Sequence, residues 1–323
     1  MPCELVTWKS LSSAVPPVHH GAMTRDPAIR HVMDTALWVA ALRAGESRRP
    51  DAAFQDDLAP RLAGPRGVRI ARSFPQPSTV AWGVVLRTSA IDRLIREALT
   101  GDLDTVINVG AGMDTRPYRI PLPPGLRWIE IDFPDLIRDK TEALAGQTAR
   151  CRVERIGLDL GDDRARGSLL RALGAESTRA LIIAEGVIPY LDRQQVERLA
   201  TDCRGEPAFQ HWILDFDNAG ERGTPARWAR QLEAAPFRFH VSDWFGFFES
   251  CGWRARRVVS SAEESERLRR PYPLSFPSGL IMRALPREVR QRILAVSGAA
   301  LLEPMAAAVG RSGSQTPGLQ PLP

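Results

Sequence analysis

Three short stretches carry residues whose types and order could do chemistry. Gly110-Ala111-Gly112 follows the β-branched run Val106-Ile107-Asn108-Val109, and a turn without Cβ atoms lets a ligand approach the backbone closely. Asp132 closes the next apolar run, Trp128-Ile129-Glu130-Ile131, 22 residues beyond Gly110. A glycine turn paired with an acid at the next strand's tip forms a nucleoside-binding unit, because that carboxylate can accept both hydroxyls of a ribose. Glu130 lies two residues before Asp132 on the same strand face, placed to share this task or to support the turn. Glu185 follows Leu181-Ile182-Ile183-Ala184, and a buried strand rarely ends in a carboxylate without a reason.

The turn itself narrows the nucleoside. A dinucleotide site wants a third glycine opening a helix whose N-terminus holds a pyrophosphate. Here position 115 is Thr, and Asp114 sits within the turn. A carboxylate there opposes a pyrophosphate and suits a cationic, phosphate-free ligand such as S-adenosylmethionine. A nicotinamide-dependent oxidoreductase is therefore the weaker alternative. An ordinary tight turn is the bland one.

The words around the turn are more specific. VINVGAGMDTRPYR, WIEIDFPDLIRDK, LDL at 158–160 and IIAEGVIPYL at 182–191 occur in that order, with TALWVAALRAGESRRPDAAFQDDLA at 35–59 and RTSAID at 87–92 upstream and GWR at 252–254 downstream. This set resembles the leucine carboxyl methyltransferase family, and especially its bacterial branch of polyketide and natural-product O-methyltransferases. The resemblance implies a class I, Rossmann-like methyltransferase fold and S-adenosylmethionine as cofactor, with no metal. It implies that Arg87 grips the methionine carboxylate, a task suited to the parallel donors of a guanidinium. Asp159 and Leu160 would contact the adenine, Glu185 would face the methionine ammonium, and Tyr190 would touch the acceptor. Asp159 could equally cap a helix, although Asp162 and Asp163 are better placed to do so. A non-catalytic partner protein of this fold would need an emptied site, yet Arg87, Gly110, Gly112, Asp132, Asp159 and Glu185 are all present.

The elements that must position these residues follow from periodicity. Strands are expected near 105–109, 127–131, 151–157, 179–184, 209–216 and 253–259, with helices near 134–145, 163–173, 192–203 and 240–250. Such alternation predicts a mostly parallel sheet flanked by helices, binding its ligand at the strands' carboxyl ends. Residues 1–100 should form a helical cap on the same globule, with helices over Ala28–Ala44 and about Ser78–Leu99. The Gly/Pro/Arg-rich passage from Arg61 to Arg72 reads as loops. The core is expected over 101–309, with a lid near 217–240 and one or two further helices between Arg283 and Ala308. Residues 1–20 read as loose, and the Gly/Pro/Ser-rich tail 310–323 as disordered.

Composition excludes several classes. Of 323 residues, 44% are hydrophobic and 25% charged, ordinary for a globular protein. The net charge of +5 comes almost wholly from arginine, since only Lys9 and Lys140 are lysines. Those arginines are interleaved with acids rather than gathered on one segment, which argues against a nucleic-acid partner. Abundant arginine with almost no lysine is the composition of a GC-rich bacterial genome. Cys3, Cys151, Cys203 and Cys251 are far apart, in no CxxC or Cys/His cluster, so neither disulfides nor zinc is expected. No membrane-spanning run or signal peptide is legible, and a cytoplasmic protein is expected.

The methyl acceptor is expected to be a small molecule or modified peptide presenting a carboxylate or hydroxyl. The sequence leaves its identity and the oligomeric state open. A carboxylate is ionised at pH 7 and needs no base, whereas a phenol benefits from one. Of His19, His20, His31, His211 and His240, none lies in a catalytic word, and His240, beside the expected lid, is the best candidate base. Arg116 and Arg119 are the nearest cations to hold an acceptor carboxylate, unless they pair with Asp114.

Overall fold

The computed structural model describes residues 29–74, 77–218, 232–273 and 284–306. The expectations for 1–20 and 310–323 and most of the proposed lid lie outside them. Three helices come first: α1 (Met33–Ser47), α2 (Ala59–Ser73) and α3 (Pro77–Ala98). The α/β alternation then follows as β1 (Thr105–Val109), α4 (Arg116–Arg119), β2 (Arg127–Asp132), α5 (Pro134–Ala143), β3 (Arg152–Gly157), α6 (Asp163–Glu176) and β4 (Ala180–Ala184). After a 3-10 turn at Ile188–Tyr190 come α7 (Arg193–Arg204), β5 (Phe209–Asp217), α8 (Trp244–Ser250), β6 (Trp253–Ser260), α9 (Ser261–Arg267), α10 (Arg287–Leu294) and β7 (Ser297–Pro304).

The seven strands form one sheet in the order β3-β2-β1-β4-β5-β7-β6. Strands β1 to β5 pair in parallel, and β7 runs antiparallel to both β5 and β6. Alternate residues of the central strands feed two cores. Ile107, Val109, Ile129, Ile131 and Ile182 pack with Leu170, Leu199 and Phe248 on one face. On the other, Val106, Trp128, Leu181, Ile183 and Ile213 pack with Ile91, Leu94 and Ile95 of α3. Burial on both faces explains the unbroken apolar runs. The strand order reverses between β1 and β4, which opens a crevice at their carboxyl ends.

Two expectations need correction. The passage 61–72 is helical. Gly64 breaks it at φ 55°, Pro65 restarts it where a missing N–H costs nothing, and Leu62, Ala63, Ile70 and Ala71 are buried. Among the described residues between 284 and 306 one helix, α10, forms where one or two were expected, and a strand that was not expected follows it. The segment Ser297–Pro304 is alanine-rich, a helix-favouring composition, yet the slot between β5 and β6 buries Ala299, Ala300, Leu301 and Leu302 almost completely. Tertiary packing overrides propensity there.

The cap is held tightly to itself. Trp38 of α1 stacks on Phe74 at 4.0 Å between ring centroids. At Gly67 a Cβ would lie 2.3 Å from the Leu37 carbonyl oxygen, so α1 and α2 touch through bare backbone. Gly67→Ala should therefore push the helices apart and cost about 1–3 kcal/mol, read as a lower urea midpoint at unchanged slope.

Candidate active site

The turn after β1 is built by its own hydrogen bonds. Gly110 and Ala111 donate N–H bonds to the Ile131 carbonyl at 2.8 and 3.0 Å, which locks the turn to β2. Gly110 has φ 70°, and a Cβ there would sit 2.1 Å from Cγ2 of Val187. No other residue fits. Gly112, also at positive φ, donates its N–H to Asp132 Oδ2 at 2.7 Å, and Phe133 N–H bonds Oδ1 at 2.8 Å. Asp132 thus stands at the strand tip with both oxygens anchored. Burial pushes its carboxyl above the usual range, partly offset by those two amides and Lys140.

Behind the turn lies a ladder of buried charges. Arg116 is 2% exposed. Its Nε meets Asp92 of α3 at 2.7 Å, and its Nη1 meets Asp114 at 2.9 Å and Glu185 at 2.7 Å. Arg119 donates to both oxygens of Asp92, at 2.5 and 2.8 Å. Arg43 of α1 pairs with Asp56 at 2.9 Å and donates to the Met113 carbonyl, tying the cap to the turn. Beyond Glu185, Arg87 places Nε 3.0 Å from Glu185 Oε1 and Nη1 3.2 Å from Asp215 Oδ2. Asp215 Oδ1 accepts the Gly186 N–H at 2.7 Å. Burial opposes ionisation of Asp92, Asp114 and Glu185, but the arginines outweigh it and hold all three carboxyls below their ordinary range.

The structure brings together Arg87, Gly110, Ala111, Gly112, Asp132 and Glu185 along the carboxyl ends of β1, β2 and β4 and the middle of α3. Others sit differently. Asp114 turns inward to Arg116 and to the Asn108 amide, 2.8 Å away, so its charge is spent on the turn. Arg116 and Arg119 are likewise paired with acids. Glu130 is fully buried, with Lys140 Nζ at 2.9 Å and Arg155 Nε at 2.8 Å, a support beneath the turn. Asp159 is exposed after β3, where Oδ1 accepts the Gly161 N–H at 2.8 Å, and Asp162 caps α6. The Leu160 side chain packs on the core while its carbonyl accepts from Arg166 at 2.8 Å.

Tyr190 lies in the 3-10 turn after β4, edge-on to Phe237 and beside Thr35 of the cap. Burial pushes its phenol up, outweighing Thr35 and Arg87, so it stays protonated. His240 is exposed and its Nε2 lies 3.2 Å from the Phe237 carbonyl of its own loop; the structure does not join it to the ladder. Sequence reading passed over Asp215. Its signal was available, since it sits near the carboxyl end of β5 as Glu185 does after β4. No group of three or more metal-ligating side chains occurs among the described residues, and no helix there is long and apolar enough to cross a membrane.

Arg116→Leu should cost about 3–5 kcal/mol, because it leaves the buried Asp114 without its arginine and removes one of the two arginines on Asp92 and on Glu185. The pH dependence also changes sign. In the parent these acids have lowered pKa values, so their stabilisation is full above about pH 5 and is lost as pH falls through the folded values. Stripped of its arginine, the buried Asp114 carboxyl rises above its unfolded value, and through that group the variant should gain stability as pH falls from 7 to 5. Urea midpoints across that range check both.

The sequence profile of the leucine carboxyl methyltransferase family matches residues 36–203. A protein of Parafrankia sp., named "Putative S-adenosyl-L-methionine-dependent methyltransferase", is 31% identical over 261 residues, 75% of this chain and 83% of its own length. One of the same name from Mycobacterium avium is 30% identical over 293 residues, 81% of this chain and 92% of its own. The crystal structure of a DUF574 family protein from Streptomyces avermitilis superposes with a TM-score of 0.50 at 14% identity, covering 84% of this chain and 97% of that one, and supports the fold. With the profile spanning half of the chain and the ordered words at the ends of β1, β2, β3 and β4, the protein belongs to the leucine carboxyl methyltransferase family of S-adenosylmethionine-dependent methyltransferases.

Proposed function

We propose that this chain methylates an oxygen, a carboxylate or hydroxyl, on a small-molecule or modified-peptide natural product. The observation that carries the reading is the line of groups across the sheet: Asp159 after β3, Asp132 on β2, the glycine turn after β1, and Glu185 after β4. That order matches an extended nucleoside with an amino-acid arm, adenine first and methionine last. The residues fit such a ligand. Asp92, Asp114, Asp132, Glu185 and Asp215 outnumber Arg87, Arg116 and Arg119, which suits a ligand of net positive charge. When bound, S-adenosylmethionine supplies a methyl group on a good, neutral leaving sulfur.

The protein's part is then position. Holding acceptor oxygen and methyl in line is worth up to ~7–11 kcal/mol without any covalent help from the chain. The apolar cluster of Trp38, Phe74, Val84, Leu232 and Ala235, with Tyr190 and Phe237 at its edge, would cover the acceptor on the cap side. Tyr190, protonated, would donate a hydrogen bond to the acceptor rather than take its proton. That favours an acceptor already ionised, a carboxylate, over a phenol.

Two outcomes are expected. Calorimetry should show S-adenosylhomocysteine binding in the presence of a metal chelator, and no binding of NAD; heat with NAD alone would end this reading. Asp132→Ala should weaken nucleoside binding by about 1.5–3 kcal/mol, the range for hydrogen bonds to a charged group. The acceptor class is read from single-turnover rate against pH. A carboxylate acceptor stays ionised above about pH 5, so the rate should be flat from pH 7 to 9 and the product should be cleaved by mild base. A tenfold rise per unit, with a base-resistant product, would instead mark a phenolic ether.

A further inference from the structure

We propose that Asp215 is a positioning residue, fixing the plane of Arg87 so that one guanidinium edge is presented to the carboxylate of the bound cofactor's methionine arm. The inference rests on the cofactor reading above. It adds a residue from β5, a strand to which nothing in the glycine turn or the ordered words points.

A guanidinium has five N–H donors in one plane, and what it can grip depends on which edge is left open. Here Glu185 takes Nε at 3.0 Å and Asp215 takes Nη1 at 3.2 Å. Two acids on two different nitrogens leave the group no free rotation about its stem. Nη2 makes no hydrogen bond among the described residues, and the Arg87 side chain is 24% exposed, which leaves that nitrogen without a protein acceptor for a ligand to displace. Gly186, at φ 67°, lies against the same guanidinium, with an added Cβ 3.5 Å from both Nη1 and Nη2.

Asp215 is in turn held from the backbone. Its Oδ1 accepts the Gly186 N–H at 2.7 Å, which pins the residue after Glu185 as well. Burial pushes the Asp215 carboxyl up, and Arg87 and the Gly186 amide only partly offset this. Glu185 differs, because Arg116 also bonds it and stabilises its charge. Keeping a second, costly acid on Arg87 is hard to explain by stability, since an arginine beside Glu185 alone would already be paired. It is explained if the direction of the guanidinium matters.

The test compares S-adenosylhomocysteine with its decarboxylated analogue, which keeps the adenosine, sulfur and amine and lacks only the carboxylate. The ratio of their dissociation constants reports the grip on the carboxylate alone. In Asp215→Asn the amide cannot hold Nη1 while facing Gly186. The affinity for S-adenosylhomocysteine should fall about tenfold, and that for the analogue less than twofold. Arg87→Met should collapse the ratio likewise, and the double variant should lose no more, as coupled residues do. Equal weakening of both nucleosides in Asp215→Asn would mean a merely structural role and overturn the inference, as would an unchanged ratio. If the parent binds neither nucleoside, the cofactor reading fails and this inference falls with it. Thermal melts establish that the variants fold; should Asp215→Asn not fold, Asp215→Glu, with the charge kept and its reach changed, is measured by the same ratio and the same criteria.

Discussion

The contact on which the rest depends is the guanidinium of Arg116, buried to 2% exposure among three carboxylates. Those acids come from three places: α3, the turn after β1, and the residue after β4. One cation therefore sets the spacing of the cap helix, the glycine turn and the strand tip. Buried ion pairs are poor sources of stability, because desolvation consumes most of the attraction. Their value lies in geometry. A wrong register of α3 against the sheet would bury an unpaired charge, so only one arrangement is tolerated.

That logic divides the molecule. Apolar cores on both faces of the sheet supply the driving force for folding, and they are indifferent to which side chain stands at a strand's end. The charge ladder supplies no comparable driving force, yet it places Arg87 and Glu185 to within hydrogen-bonding distances. Its two halves are also electrostatically unlike. Asp92 and Glu185, each touching two arginines, and Asp114, against Arg116 with Lys140, Arg119 and Arg43 nearby, are held ionised, whereas Asp132 and Asp215, fastened mainly by backbone amides or one arginine, are pushed up by burial. The second pair lies where an incoming cation would be welcome.

Much of this was legible in the sequence. Strands β1, β2 and β4 are β-branched runs buried on both faces, and their ends carry the glycine turn, Asp132 and Glu185. What was not legible is instructive. Gly64 and Pro65 read as helix breakers, but each occupies the one place in α2 where it does no harm. The alanines of β7 take their conformation from the slot they fill, which no local pattern records. Asp114, Arg116 and Arg119 looked like ligand-facing charges because sequence shows a charge without its partner. Asp92 and Glu185 pair with Arg116 from 24 and 69 residues away in the chain, and Arg116 in turn neutralises Asp114. Glu130 was similarly ambiguous until Lys140 and Arg155 appeared beside it.

The antiparallel β7 has a consequence for the order of assembly. It is later in the chain than β6 yet lies inside it, between β5 and β6. As the polypeptide leaves the ribosome, strands β1 to β5 can pair in turn, but the outer edge of β5 stays open until Ser297–Pro304 has emerged. An unpaired edge of Phe209–Asp217, carrying Trp212, Ile213 and Leu214, is an aggregation hazard during that interval. The nascent sheet thus depends on β7 for protection, and until it arrives the strand that bears Asp215 is paired on one side only.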